Sequence, residues 1–596
     1  MTSESQSQKL GLALSGGGFR ASYFHIGVLA QMAEQGLLRH VEVISTVSGG
    51  SIIGALYYLH VKKLLESKPD AEVTNQDYVD LVKKIETDFK KATDTNIRMS
   101  TFADFRSNFR FIRPDYSRSD RISELYNDLI YQDVLPEEKV SKPVQMRELK
   151  IFPPGQPNFS PRTDNVERQA KVPVLVIHAT TLNTGRDWHF TAQTMGEPIK
   201  EDEKGPIYEE TDSKPTRLRR ARPSYDDLAP HQQGFELGHA VGASACVPAL
   251  FPPLAISGLY QDGGQNIRVQ LVDGGVYDNQ GIAGLLYEDC TLFVVSDASG
   301  QLGVEYEPHT GAFNVLWRGF DSIFPDRVRT ESLQQRFDTA HRKNIAFMHL
   351  RKGLEIREIP WIDKDGKPAG EVGGAKASSL DFGVAPAVQE CLSKVRTDLD
   401  AFSEVEAYSL MLDGYLMSSS ELRKFGVDTG YGKLDADGPK SLPQAGAWDF
   451  LKIAPWISSP KPDSDYLKQL KVANYLFGKA LFLIPWLAAV TFGLALLILV
   501  LLWPYFIAFL QTSIPTVAIV MIIGMILAYK LVPRLAPIFK ILKILRAPMD
   551  LIKRFILNVS LPLAGTFFVQ IYIKFINPLF LKRGSVAELN RRDPPI

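Results

Sequence analysis

Cysteine is scarce in this chain. Its 596 residues hold three, Cys246, Cys290 and Cys391, odd in number and widely spaced. That pattern argues against a disulfide framework and fits a reducing compartment. No cysteine–histidine cluster has zinc spacing, so no metal is expected. Net charge is missing too. The 67 Lys and Arg balance 67 Asp and Glu, so nothing in bulk pulls the chain toward nucleic acid. A Gly-Lys-Ser or Gly-Lys-Thr phosphate loop is absent. Residues Met1 to Lys9 are polar, and no secretory apolar core precedes the first strand. The length is too great for one ordinary domain.

Charge is absent from one long run. Between Lys479 and Lys530 there is no charged residue. A spanning helix needs about 20 apolar residues, so this run has room for two. The spans are expected at about 480–503 and 514–532, with the aromatic stretch Trp503-Pro504-Tyr505 between them at an interface. Lys461, Lys468, Lys471 and Lys479 precede the first, and Lys530, Arg534, Lys540 and Lys543 follow the second. Positive charge on both flanks places both ends, and the domain before them, in the cytoplasm. Residues 533–554 read as a basic amphipathic surface helix. Residues 555–573 are a third apolar run, expected to be interfacial or re-entrant because Asn558, Pro562 and Gln570 interrupt it.

The chemistry is concentrated in residues 10–60. Leu10 to Leu14 reads as a short buried strand, followed by Ser15-Gly16-Gly17-Gly18-Phe19-Arg20 and a helix from Tyr23 to Gln35. Val41 to Val47 is rich in β-branched residues and reads as a second strand, followed by Ser48-Gly49-Gly50-Ser51 and another helix. Two such units predict a mostly parallel sheet with helices on both faces. In that architecture chemistry sits at the carboxyl ends of strands, where both glycine loops fall.

A serine on a sharp strand-to-helix turn is the arrangement of a nucleophile elbow. Small residues must flank it, and Gly49 and Gly50 follow Ser48. The helix starting there aims free N–H groups at an oxyanion formed on Ser48. Gly16, Gly17 and Gly18 have no side chains to block their amides, so they are candidates for the rest of an oxyanion hole. The competing reading is a nucleotide site, since Gly16 to Ala21 fits a dinucleotide fingerprint with Ala21 in the last place. The second strand, however, ends in Ser-Thr-Val-Ser-Gly-Gly without the acidic residue that fingerprint requires.

The rest of the chain supplies a base. Residues 61–170 and 196–230 are polar and read as insertions. Strands are expected at Val172–His178, around Trp188–Phe190, at Thr291–Ser296 and at Ala346–Leu350. Helices are expected at Ser119–Tyr131, Phe235–Ala245, Pro386–Phe402 and Glu404–Met417. Asp262-Gly263-Gly264 sits where a hairpin turn belongs. Asp273-Gly274-Gly275 instead ends a strand, Ile267 to Val272, and leads through Asn279 into a helix from Ile282. Asp273 is therefore the candidate to reach Ser48. His25, His60, His178, His189 and His239 lie in no triad-like motif and read as structural.

Taken together, the glycine loop with Arg20, the elbow, Ala243-Ser244-Ala245 with Pro248 and Phe251-Pro252-Pro253, and Asp273-Gly274-Gly275 with Asn279 resemble patatin-like phospholipases, in family order. The resemblance covers roughly residues 9–420. It implies a Ser–Asp dyad acting on lipid ester bonds, with Ser48 as nucleophile and Asp273 as general base. The implied oxyanion donors come from the glycine loop and Gly49. Arg20, Gly50, Gly274 and Gly275 support the motifs. Thr46 stands where the family has glycine, and Ala21 replaces another.

The sequence thus predicts an α/β acyl-hydrolase domain over 1–425, a linker over 426–475 and a membrane-anchoring helical region over 476–596. The expected activity is release of fatty acid from a membrane lipid at the bilayer, as a phospholipase A or lysophospholipase, with no cofactor. An acyltransferase of the same fold and a non-catalytic scaffold with a lipid pocket are the alternatives.

Overall fold

The computed structural model describes residues 8–104, 116–136, 141–198, 224–299, 344–354, 359–368, 382–429, 447–504 and 566–595, less positions 249, 477, 495, 498, 502 and 567, together with residues 110, 218, 306–311, 315 and 318. Among the described residues nine strands form one sheet. They are β1 (Leu10–Leu14), β2 (Val41–Val47), β3 (Val174–Thr181), β4 (Asp187–Phe190), β5 (Met195–Gly196), β6 (Leu254–Asp262), β7 (Gln265–Asp273), β8 (Leu292–Asp297) and β9 (Ile345–His349). The order along the sheet is β5-β4-β3-β2-β1-β8-β9, and β7 pairs with both β3 and β6. From β3 to β9 the strands are parallel. β4, β5, β6 and β7 run antiparallel to their partners.

The parallel strands β1, β2, β3 and β8 are buried on both faces, as their near-continuous apolar sequences require, and β9 at the edge is buried on one. Helices α1 (Gly18–Glu34) and α2 (Gly49–Ser67) follow β1 and β2. They cover one face within the large core, together with α3 (Asn75–Thr93). The other face packs Ala13, Val43, Val176 and Val295 against Ile282 and Leu285 of a short helix, Ile282–Tyr287. A long helix, Glu404–Thr429, lies along α1. Its Gly414 sits against the backbone of Phe24, and Gly27 against that of Met411, so the two helices meet with no side chain between them.

Three expectations change here. The helix expected over Pro386–Phe402 ends at Ser393, because the residues after it are drawn into buried ion pairs. Residues 447–473, expected within a linker, are folded: Trp448, Phe450, Ile453, Tyr466 and Leu470 belong to the main core. The polar stretch from 61 carries on α2 and then forms α3, whose Tyr78, Val82, Ile85 and Phe89 face that core.

In the C-terminal region Lys479–Leu483 is helical, Ile484 interrupts, and 485–504 are helical where described. Among the described residues no helix is long and apolar enough to cross a membrane. The second expected span, the basic helix 533–554 and most of 555–573 lie outside the described residues. The chain then packs back on the core, where Leu589 is buried and Trp456 Nε1 donates to Asp593 O at 2.7 Å.

Candidate active site

β3 is the template that brings the two candidate side chains together. Val47, the last residue of β2, pairs with His178. The next residue of β3, Ala179, pairs with Asp273 at the end of β7. β7 thus takes over the side of β3 that β2 has just left, so Ser48 and Asp273 leave adjoining strand ends. Thr180 fixes this junction by donating from its hydroxyl to Asp273 O at 3.0 Å.

Ser48 has φ 50° and ψ −116°, a conformation rare for a residue with a side chain. Strain of that kind costs ~1–3 kcal/mol and persists only where the surroundings enforce it. Those surroundings are a chain of hydroxyls. The Ser48 amide donates to Ser244 Oγ at 2.9 Å. Ser244 lies 2.8 Å from Ser51 Oγ, Ser51 donates to Thr46 Oγ1 at 3.0 Å, and Thr46 donates to Val176 O at 3.2 Å. Thr46 thus fits in place of glycine, and Gly54 on α2 makes the room: a methyl there would overlap Thr46 Cγ2.

The two glycine loops touch through backbone. Gly17 has φ 133° and Gly18 φ 56°, which a side chain would strain. A methyl on Gly49 would overlap the Gly18 carbonyl, and one on Gly50 the Leu14 carbonyl. Among the described residues the amides of Gly17, Gly18 and Gly49 donate to no acceptor. Gly16 differs, for its amide donates to Asn279 O at 3.0 Å. That amide is committed to holding the loop, and a methyl on Gly16 would overlap Asn279 Oδ1. Arg20 is buried and braces the loop from behind, donating to Ala298 O at 3.1 Å and Val395 O at 2.7 Å.

Asp273 is buried, and its amide donates to Cys246 O at 2.9 Å. Its Oδ1 accepts the Gly275 amide at 2.7 Å, while Oδ2 has no hydrogen-bond partner among the described residues. Loss of water around the carboxylate pushes its pKa up to about 6, against the opposing pull of the Ser48 side chain and the Gly275 amide. The Ser48 hydroxyl is close enough to favour the charged form without completing a bond to Oδ2. Gly274 lets β7 close on β3, since a methyl there would lie 2.5 Å from His178 O.

Residues 12–286 match the family model described as patatin-like phospholipase. This part of the chain is a patatin-like phospholipase domain. Among solved structures, human GIVD cytosolic phospholipase A2, in complex with methyl gamma-linolenyl fluorophosphonate inhibitor and terbium chloride, is 13% identical with a TM-score of 0.32. The alignment covers 71% of this chain and 59% of that one, so this chain spans less than two thirds of that protein. A likeness of that size carries no argument about the site. No curated protein matches the chain.

His25, His178 and His189 are bonded to groups other than Ser48 and Asp273. His25 hydrogen-bonds Ser296 Oγ at 2.7 Å and Ser15 O at 3.0 Å, and burial lowers its pKa to about 4, so it is neutral. Among the described residues one group has metal-ligand types, His178, Asp187 and His189, all buried. Asp187 Oδ2 bridges them, 3.0 Å from His178 Nδ1 and 2.7 Å from His189 Nε2. Burial alone lowers the His178 pKa, but the Asp187 charge outweighs it and the pKa is raised. Burial also works against the Asp187 charge, and the two imidazoles outweigh it, holding that carboxyl well below its usual range. The group is closed as a buried ion triad. Ser244 and Asn279 contribute more than their place in a motif suggested; no local pattern marks Ser244 as the acceptor for the elbow amide.

Proposed function

We propose that this protein hydrolyses carboxylic ester bonds of membrane lipids, as a phospholipase A or lysophospholipase, through Ser48 and Asp273. Ser48 Oγ attacks the ester carbonyl, and its proton passes to Asp273 Oδ2. The amides of Gly17, Gly18 and Gly49 hold the oxyanion. The alcohol leaves with that proton, and water, deprotonated by Asp273, then releases the fatty acid. Loss of one such donor typically costs ~10²–10³ in turnover.

The observation that carries this reading is the Oδ2 of a buried, proton-avid carboxylate, without a partner among the described residues, together with a strained serine whose turn packs against the glycine loop that carries acceptorless amides. The membership of residues 12–286 supports the substrate class. Attachment to the bilayer is part of the proposal. It is supported by Phe482, Trp486, Val490, Phe492, Leu496 and Leu501, each at least 50% exposed. A run of exposed large apolar side chains on one segment suits an interaction site.

The test is fatty-acid release from phosphatidylcholine and lysophosphatidylcholine vesicles, wild type beside Ser48→Ala, with vesicle flotation alongside. Release by the wild type alone supports the reading. Equal release by Ser48→Ala contradicts it, and protein that stays below floating vesicles contradicts the attachment.

A further inference from the structure

Residues 394–403 form a loop held by charge rather than by regular structure. Arg396 lies at its centre, fully buried. It donates to Asp400 Oδ1 at 2.8 Å, Glu406 Oε1 at 2.6 Å and the carbonyls of Ala401 and Ala473 at 3.0 Å. Lys479, buried at the start of the next region, pairs with Asp400 Oδ2 at 2.6 Å and donates to Ala401 O at 3.1 Å. Asp398 points the other way and pairs with Arg98 at 2.5 Å. Three positive and three negative groups balance one another. Buried charges are tolerated only when paired in this way.

Asp398 is where this cluster reaches the active site. Its carbonyl accepts the Phe19 amide at 2.9 Å. A methyl on Gly18 would lie 2.8 Å from that carbonyl oxygen and 2.9 Å from the Asp398 nitrogen. On its other side Gly18 touches Gly49 by backbone alone. Between residue 398 and the elbow there are two glycines and no side-chain atom to absorb a shift. Close-packed interiors transmit such a shift.

We propose that Arg396, Asp398, Asp400 and Lys479 are positioning residues, a buried charge clamp that fixes the 394–403 loop and so sets the direction of the Gly18 amide. The inference rests on the oxyanion role proposed above for that amide. An amide turned out of line no longer stabilises the developing charge, while ground-state binding is untouched. Misplacement by about 1 Å is worth up to ~10²-fold in rate.

The experiment compares full-length wild type, Lys479→Met, Arg98→Met and Asp465→Asn. kcat and KM are measured with a soluble p-nitrophenyl butyrate substrate, alongside the rate of Ser48 labelling by a fluorophosphonate and the melting temperature. Asp465→Asn removes a different ion pair of the C-terminal region, with Arg583 at 2.5 Å, and among the described residues neither of these side chains bonds to residues 394–403. Lys479→Met and Arg98→Met should each lower kcat roughly 10- to 100-fold with KM within about threefold, and slow labelling in step. Asp465→Asn should leave kcat and labelling unchanged whatever it does to melting. Arg98→Met acts on Asp398 directly, from the edge of the cluster, and decides the question if Lys479→Met does not fold. Folded clamp variants with normal kcat overturn the inference, as does a kcat loss shared equally by Asp465→Asn. A wild type that neither labels nor hydrolyses overturns the functional reading itself, which the clamp variants alone cannot do.

Discussion

Ser244 Oγ accepts the amide of Ser48 at 2.9 Å, so a hydroxyl from the Leu237–Ser244 helix holds the strained elbow from outside its own turn. Ser244→Ala leaves that buried amide unpaired, which typically costs ~1–3 kcal/mol. We expect a lower melting temperature and a roughly tenfold slower labelling of Ser48. Unchanged labelling would show that the turn needs no such support.

Thr46 occupies space that Gly54 leaves open. Gly54→Ala should therefore be poorly tolerated, although alanine normally favours a helix by ~1 kcal/mol over glycine. A loss of roughly 1–3 kcal/mol is expected from overpacking. The double variant Thr46→Gly, Gly54→Ala should recover most of it, which chemical denaturation can measure.

Asp273 must be charged to accept a proton, so activity should rise with pH through about 6 and level off above it. The folded state holds this proton more tightly than the unfolded chain does, whose carboxyl titrates near ~3.9. Folding stability from this group is thus lost as pH climbs from ~4 to about 6, and the cost is complete above that. Asp273→Asn should be inactive yet melt higher than wild type at pH 7, by up to ~3 kcal/mol. The pH–rate profile and paired melts check both signs.

The His178–Asp187–His189 triad is closed by its own hydrogen bonds. Dialysis against EDTA should leave melting and hydrolysis unchanged. Asp187→Ala should cost ~3–5 kcal/mol, because it strands a buried imidazolium. A fall in melting temperature on chelation, reversed by zinc, would make the triad a metal site instead.

Much of this site is local in the sequence, and that is why it could be read there. β1 and β2 match Leu10–Leu14 and Val41–Val47 because short apolar runs bounded by glycine leave little choice of register. Asp273 was separable from Asp262 because Gly263 and Gly264, with φ 53° and 83°, make a hairpin turn as expected. What the sequence hid is long-range. The link from Asp398 to Gly18 joins residues far apart in the chain, and only packing reveals it. Residues 447–473 look like a linker because Pro, Lys and Asp space their aromatics widely, yet Trp448 and Tyr466 are buried. The helix expected through Phe402 ends early for a related reason: Arg396 pairs with Glu406 and Asp400 with Lys479, partners outside the expected helix. Gly16 shows a finer limit, since which amide of a glycine loop is free depends on where Asn279 lies.

The most direct test of the account is the mass of the protein after a fluorophosphonate probe, for wild type, Ser48→Ala and Asp273→Asn. We expect one adduct on the wild type, mapped to the peptide containing Ser48, and none on either variant. An adduct on Ser48→Ala at the wild-type rate, or a folded wild type that takes none, would contradict it.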